Sequence, residues 1–568
     1  MGSPYIPVDS WIYPAMLRLY SLGYADTLYL GLRPWTRASV MRMLEEAGNL
    51  IESSEPGNDP GTAEARQIYD AVNGELRLDM QGPCGPLQGG TRVESVYTLM
   101  RGISGTPLHD SFHLGSTIVN DYGRPFENGF NNYSGASGYA TSGRFAFYVR
   151  GELQGAPSAT GYSVTLAQYL TNVDDTLYFV PAGTAPYGPT TAVYVQPTIP
   201  QGPIATTTDG RFLEAYLSFQ YLNHVFSFGK HDQWLGPAQG SSMAFSNNAQ
   251  NFYSFEINRI EPLYVPGLSR LTGPFRYEFI VGALRGHNFM PNPAYEASPS
   301  STQENVTNPG DPWVHVEKIS FRPTRDLEFG FERTVIWAGE GHSPANIHNF
   351  LRSFFSTYSP AASVKFGPDD PGARFGAFDF SWRLPWVRNW FTLYCDSEVH
   401  DDVSPIDAPR RASWRPGLYL SHVPGIPRLD MRVEAASTDP PVGSSHSGQF
   451  MYWEVIEKQG YTNQGQLFGD WIGREDKGGQ AWITWHLSGN EWLQVSARNQ
   501  KAAKDFITGG TTLNDFSVEG VKRIARDFEI KGNFTVEHWN APIYLPGEQT
   551  VTTTNIQVTW YPSRKVSF

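Results

Sequence analysis

Between residues 229 and 251 the chain reads GKHDQWLGPAQGSSMAFSNNAQN. Trp234 stands beside Lys230, His231, Asp232 and Gln233, and a second polar run supplies Ser246, Asn247, Asn248 and Asn251. These are residue types that hold a sugar. A sugar ring offers an apolar C–H face and a rim of hydroxyls. A flat aromatic covers the face, while amides and carboxylates bridge the rim with paired hydrogen bonds. Gly229, Gly236 and Gly240 permit tight turns, and Pro237 stiffens the loop. In one reading this loop contacts a polymer. In the other, Asp232 and Arg259 form a buried ion pair that folds the loop, and the residues alone leave both open.

Other reactive residues point nowhere so definite. His109 and His113 have a metal-like spacing, but one such pair is more often a hydrated loop. The acidic turns NVDDT, GPDDPG and VHDDVSP lack EF-hand spacing and read as solvated loop acids. Phe126–Gly135 and Val536–Pro542 combine aromatics with Asn and read as girdle aromatics beside turns, or as further sugar contacts. Cys84 and Cys395 are the two cysteines, too few for a thiolate zinc site or a disulfide framework. Carboxylates are abundant but no pair is singled out, and neither a G-x-S-x-G elbow nor a P-loop is present. The expectation is a non-enzyme with no metal and no cofactor.

The elements that would position the loop follow from periodicity. From about Arg92 apolar residues recur every second position. Leu213, Ala215, Leu217, Phe219 and Tyr221 oppose Glu214, Ser218 and Gln220. Phe378, Phe380 and Trp382 oppose Asp379, Ser381 and Arg383, and Phe528, Ile530, Phe534 and Val536 oppose Glu529, Lys531, Asn533 and Thr535. The final segment places Ile556, Val558, Trp560 and Phe568 on one face. One greasy and one polar face per strand fits either a soluble sandwich or a membrane barrel with a wet interior.

Composition decides between them. The 568 residues are 14% aromatic and only 17% charged, against roughly 25% charged in ordinary soluble domains. Mean hydropathy is -0.37, with no run of about eighteen apolar residues, so a helical membrane protein is excluded. An all-β antiparallel transmembrane barrel of 16–18 strands, about 18, fits the length. The net charge of -13 argues against nucleic acid as a partner.

The first ninety residues differ. Asp9 or Ser10 caps a helix that ends at Gly23, Thr36 caps a second that stops at Gly48, and a third runs from Thr62 to Gly74. Three such helices bury too little alone and need a surface to pack on. The division is residues 1–90 as a helical bundle or plug and 91–568 as barrel. Two long connections, Val180–Thr208 and His287–Trp313, read as outward loops or as loops folded into the pore. MGSPYIPVDS lacks the features of a signal peptide, so an exported protein would be a mature form.

One stretch resembles a known family. Gly229, Asp232, Trp234, Gly236 and Pro237, then Ser246, Asn247, Asn248 and Ala249, then Arg259, resemble the signature of the Wzi capsule-assembly family of outer-membrane proteins. VDSWIYPAMLRLYSLG, RPWTRASVMRML and GYTNQGQLFGDWIG resemble it too, so the likeness runs from about residue 5 to the end. In place of two aromatics before the Gly-Pro, this chain has Gln233 and Leu235 flanking Trp234.

The resemblance implies an eighteen-strand outer-membrane barrel sealed on its periplasmic side by the helices. It also implies a lectin-like role, holding surface or capsular polysaccharide with no enzymatic step. The contact residues would be Lys230, His231, Asp232, Gln233, Trp234, Ser246, Asn247, Asn248 and Arg259. Outer-membrane lipid or lipopolysaccharide would surround the wall, and the helices could dock a periplasmic or outer-membrane protein. Polar inner faces alone also suit a diffusion porin for small polar solutes.

Overall fold

The computed structural model describes residues 2–54, 60–77, 89–163, 165–166, 169–170, 173, 204–285, 312–339, 343–356, 364, 368–440, 447–454, 460–525, 527–562 and 565–567. Most of both long connections, Cys84, the NVDDT acids and Phe568 lie outside the described residues.

The long strands form one antiparallel sheet that closes on itself. In chain order they are β1 (Gly89–Ser104), β2 (Gly129–Ser142), β3 (Phe145–Ala156), β4 (Thr207–Tyr221), β5 (His224–Lys230) and β6 (Tyr253–Arg259). Next come β7 (Phe275–Ala283), β8 (Trp313–Thr324), β9 (Leu327–Trp337), β10 (Ala373–Arg383), β11 (Phe391–His400) and β12 (Ser413–Leu420). The wall ends with β13 (Leu429–Ser437), β14 (Asp476–Ser488), β15 (Glu491–Ala502), β16 (Thr511–Ile524), β17 (Phe528–Ala541) and β18 (Leu545–Trp560). Each strand pairs with its sequence neighbours, and β1 closes the ring with Met100 opposite Ile556 of β18. The sheet counts 19 strands because Lys565–Ser567 adds a short ladder beside the start of β1; the closed wall has eighteen. Closure leaves no strand edge open, which a bilayer demands.

Alternation sorts the wall as its pattern predicts. Phe378 and Trp382 point out, whereas Asp379, Ser381 and Arg383 are buried inside. Phe528, Ile530, Phe534, Ile556 and Trp560 are exposed on the outer surface. An outward belt this apolar has lipid as its solvent. One face assignment changes. Glu214 pairs with Arg150 and Phe212 with Gly151, so a bulge at Leu213 withdraws that residue from the outer face and puts Phe212 there.

Turns are short at one end, such as Leu222–Asn223 with both residues in the left-handed region that a two-residue hairpin favours. The helices sit at this helix end: α1 (Ile12–Ser21), α2 (Arg37–Ser53) and α3 (Pro60–Leu76). Thr36 caps α2 as expected, accepting from the Ser39 amide. Gly23 ends α1 with φ +90°. Gly48 does not end α2; it lets the helix approach Tyr69 of α3, where a β-carbon would meet the ring at 3.2 Å. Of the two cap candidates for α1, Ser10 is the one that serves: its hydroxyl accepts from the Ile12 amide at 3.3 Å. Trp11 precedes that helix without a side-chain bond, and Asp9 turns to Arg150 of β3 at 2.7 Å.

The helices share a core with the amino-terminal strip, from Ile6 and Trp11 to Val72 and Leu76. Charged latches fasten them to the wall. Arg18 bridges Glu64 of α3 at 2.7 Å and Asp430 of β13 at 3.1 Å. Glu328 of β9 accepts from the Leu30 and Gly31 amides, and Arg37 meets Glu94 of β1 at 2.8 Å. Connections at the other end, the loop end, fold inward. Phe112, Leu235, Phe245, Tyr452, Tyr461 and Phe468 pack with Leu32 and with the inner faces of β7–β10 as a second core inside the ring. This lumen is largely filled with protein.

Candidate functional site

The segment between β5 and β6 carries most of the candidate residues, and it lies inside that filled lumen. Asp232 is fully buried and accepts three bonds: from the Val8 amide at 2.8 Å, the Tyr122 hydroxyl at 3.0 Å and the Asn251 amide at 2.6 Å. Burial first, then the nearby Asp9 carboxylate, push the Asp232 carboxyl above its ordinary value, while Arg150 and the donors oppose them. Asp232 thus joins the amino-terminal strip, an inner loop and its own loop.

Trp234 is also buried, and its indole N–H donates to the Ala238 carbonyl at 3.1 Å. His231 places Nε2 2.9 Å from Glu256 of β6. Burial works against a charged His231, but Glu256 prevails and raises its pKa from 6.5. Lys230 ends β5 with its ammonium 5.2 Å from the Tyr253 ring. Gln233 is buried, with Oε1 meeting no hydrogen-bond partner.

The second polar run is equally committed. Ser246 donates to the Gly469 carbonyl at 2.7 Å, and the Asn247 carbonyl accepts from the Tyr122 amide. Asn248 donates to Leu467 and accepts from the Asn120 amide. Eight of the nine candidates converge here and are buried. Arg259 does not join them. It ends β6 opposite His224, at the helix end, half-buried. The Asp232–Arg259 pair that the sequence allows is not formed, because Asp232 spends its lone pairs on amides and a hydroxyl.

The weaker candidates resolve separately. His113 sits 3.1 Å from Asp110 and His109 3.3 Å from Glu127, and no group of three metal ligands occurs among the described residues. Asp369 pairs with Arg352 and Asp402 with Arg411, as loop acids do. Phe130 stands on the outer face, but Phe126 and Trp539 are no girdle residues: both pack into a small core beneath the loop end.

Sequence reasoning missed the partners of the loop. Arg33, Val8 and Tyr122 come from elsewhere in the chain, and local spacing does not reveal them. It also missed the open part of the lumen. Against the inner faces of β14–β18 and β1 lies a cavity of about 650 Å³, within the roughly 300–1,000 Å³ usual for small-ligand sites. Its wall carries Gln494, Ser517, Asn533, Thr535, Asn555 and Gln557, all partly accessible, beside Trp482 and Trp492. Gln239 and Gly240 of the buried loop close one side, Asp9 and Arg18 another. The alternating polar positions of β17, Asn533 and Thr535 among them, are the sequence signal that marks it.

The chain matches the family model described as capsule assembly protein Wzi over residues 99–554. It is 23% identical over 225 residues to an uncharacterized 55.8 kDa protein in the cps region of Klebsiella pneumoniae, a match that covers 39% of this chain and 40% of that one. Its fold aligns with Wzi of Escherichia coli, an outer membrane protein involved in group 1 capsule assembly and a carbohydrate-binding β-barrel. The TM-score is 0.63 at 14% identity, with 98% of this chain and 99% of that chain covered. With most of its length matched to the family model, the chain belongs to the Wzi family of outer-membrane capsule assembly proteins.

Proposed function

We propose that this protein holds a segment of surface polysaccharide at the outer membrane, by binding and without a chemical step. Family membership across residues 99–554 carries the reading. The filled lumen supports it, since inner loops and helices occupy the bore that a diffusion porin would keep open. The helix end faces the periplasm in this reading, and the long connections face outward, as short-turn and long-loop ends do in such barrels.

Burial redistributes the roles of the candidate residues. Lys230 to Asn248 act as a keystone that fixes the loop end, and Arg259 stands apart at the helix end, where its carbonyl accepts from Arg276 at 2.8 Å. Sugar contact falls to the cavity wall, whose amides and hydroxyls bond one another, as Ser517 and Thr535 do at 2.7 Å, yet stay partly accessible beside the Lys531–Glu519 pair. Trp482 and Trp492 supply apolar faces for sugar rings.

Calorimetric titration of the purified barrel with capsular polysaccharide from its host strain tests the function. Measurable binding and a silent planar bilayer are expected; no binding with a stable open conductance would replace this reading with a porin. Asn533→Leu with Asn555→Leu tests the site. Affinity should fall about tenfold or more, roughly 1.4 kcal/mol, without loss of the heat-modifiable gel shift.

A further inference from the structure

A nine-residue helix, α4 (Ile347–Phe355), lies in the connection between β9 and β10 and packs on the outside of the barrel. Its Phe350 ring is 6.5 Å from Phe279 of β7, 5.7 Å from His315 of β8 and 5.7 Å from Trp337 of β9. Those three positions alternate with lumen-facing Ile280, Val314, Val316 and Ile336, so they belong to the outer face. The helix covers them: His315 is 0% and Trp337 4% exposed, whereas Trp313 and Ile319, on the same face of β8, are 37% and 40% exposed.

Beneath α4 lies a polar cluster that would otherwise meet lipid. His315 contacts Glu317 at 2.6 Å and the Ser353 hydroxyl at 2.8 Å. Arg333 reaches Glu317 at 3.2 Å and donates to the carbonyls of Ser353, Phe354 and Ser356, which end the helix. A cation there satisfies orphan carbonyls and the negative pole of the helix. A bare arginine on a lipid face is destabilising. The cover therefore fits a sector of wall that lies within the membrane.

The far side of α4 is apolar. Ile347, Leu351 and Phe355 are spaced by four and are 78%, 46% and 71% exposed, while His348 and the Arg352–Asp369 pair line one edge. The stripe adjoins the belt of outward apolar residues on β7–β9. We propose that α4 is an in-plane membrane helix that seats Ile347, Leu351 and Phe355 among the acyl chains of the outer leaflet. The polar edge then points to the headgroups, as in interfacial amphipathic helices. The outer-leaflet assignment rests on the orientation given above; the lipid contact itself does not.

The test uses the full chain with Cys84→Ala and Cys395→Ala, in palmitoyl-oleoyl phosphatidylglycerol nanodiscs. Leu351→Cys and Phe355→Cys carry nitroxide labels, and Ile406→Cys in an exposed loop-end turn is the aqueous control. Leu351 and Phe355 labels should collide with oxygen and be screened from a nickel chelate, with the reverse at Ile406. Chelate access at Leu351 equal to that at Ile406 would overturn the proposal. So would shielding from both reagents, which would mean cover by a second copy of the chain. Loss of polysaccharide binding in these variants bears on the function and leaves the lipid readout intact.

Discussion

Arg33 and Trp234 are joined twice through their backbones, at 3.0 and 3.1 Å, and the Arg33 guanidinium stands 5.7 Å over the indole. Burial lowers the pKa of that guanidinium to about 10. The tryptophan most suggestive of a sugar platform is thus roofed by the amino-terminal strip.

Trp234→Ala should therefore destabilise the barrel, by about 3–5 kcal/mol as for other buried tryptophans. The heat-modifiability midpoint should drop, while the folded fraction keeps wild-type affinity for polysaccharide. A variant as stable as wild type with affinity abolished would restore Trp234 to the contact surface.

Asp232→Ala strands the Val8 amide, the Tyr122 hydroxyl and the Asn251 amide, at roughly 1–3 kcal/mol for each buried donor left unpaired. Limited proteolysis should then cut the strip around Val8 in an otherwise intact barrel. An unchanged digestion pattern would show that the strip is held by other contacts.

The His231–Glu256 contact sets a pH dependence. His231 has its pKa raised above 6.5 in the folded chain, so the stability it adds is whole below that pH. It is lost as pH rises through the elevated value. Amide exchange across 231–252 should accelerate over that interval in wild type beyond the intrinsic rate, and His231→Gln should flatten the excess.

Arg18→Met leaves Glu64 and Asp430 without their shared cation, a loss of about 3–5 kcal/mol for a broken buried pair. In planar bilayers the wild type should stay closed and the variant should flicker open. Silence in both would mean that the loop-end core seals the bore by itself.

The wall was legible in the sequence because lipid and lumen impose opposite chemistry on neighbours such as Phe378 and Asp379. The bulge at Leu213 was not, since a skipped residue has no signature in a two-residue period. The caps at Thr36 and Gly23 were local and therefore readable, whereas the run of α2 past Gly48 depends on Tyr69 of another helix. The 229–251 loop showed its composition but not its burial, because what buries it comes from Val8, Arg33 and Tyr122. Helix α4 had a readable signal, with Asn346 as cap and apolar residues at 347, 350, 351, 354 and 355, that the strand periodicity around it obscured.

That helix also breaks the roundness of the molecule. With α4 seated on the sector of β7–β9, the circumference has one thickened flank, and a neighbour of matching curvature can come flush only along the remaining arc. In a crowded membrane plane, contacts between neighbours then favour some headings over others. Whatever it displays at its loop end then meets the molecules beside it from preferred directions.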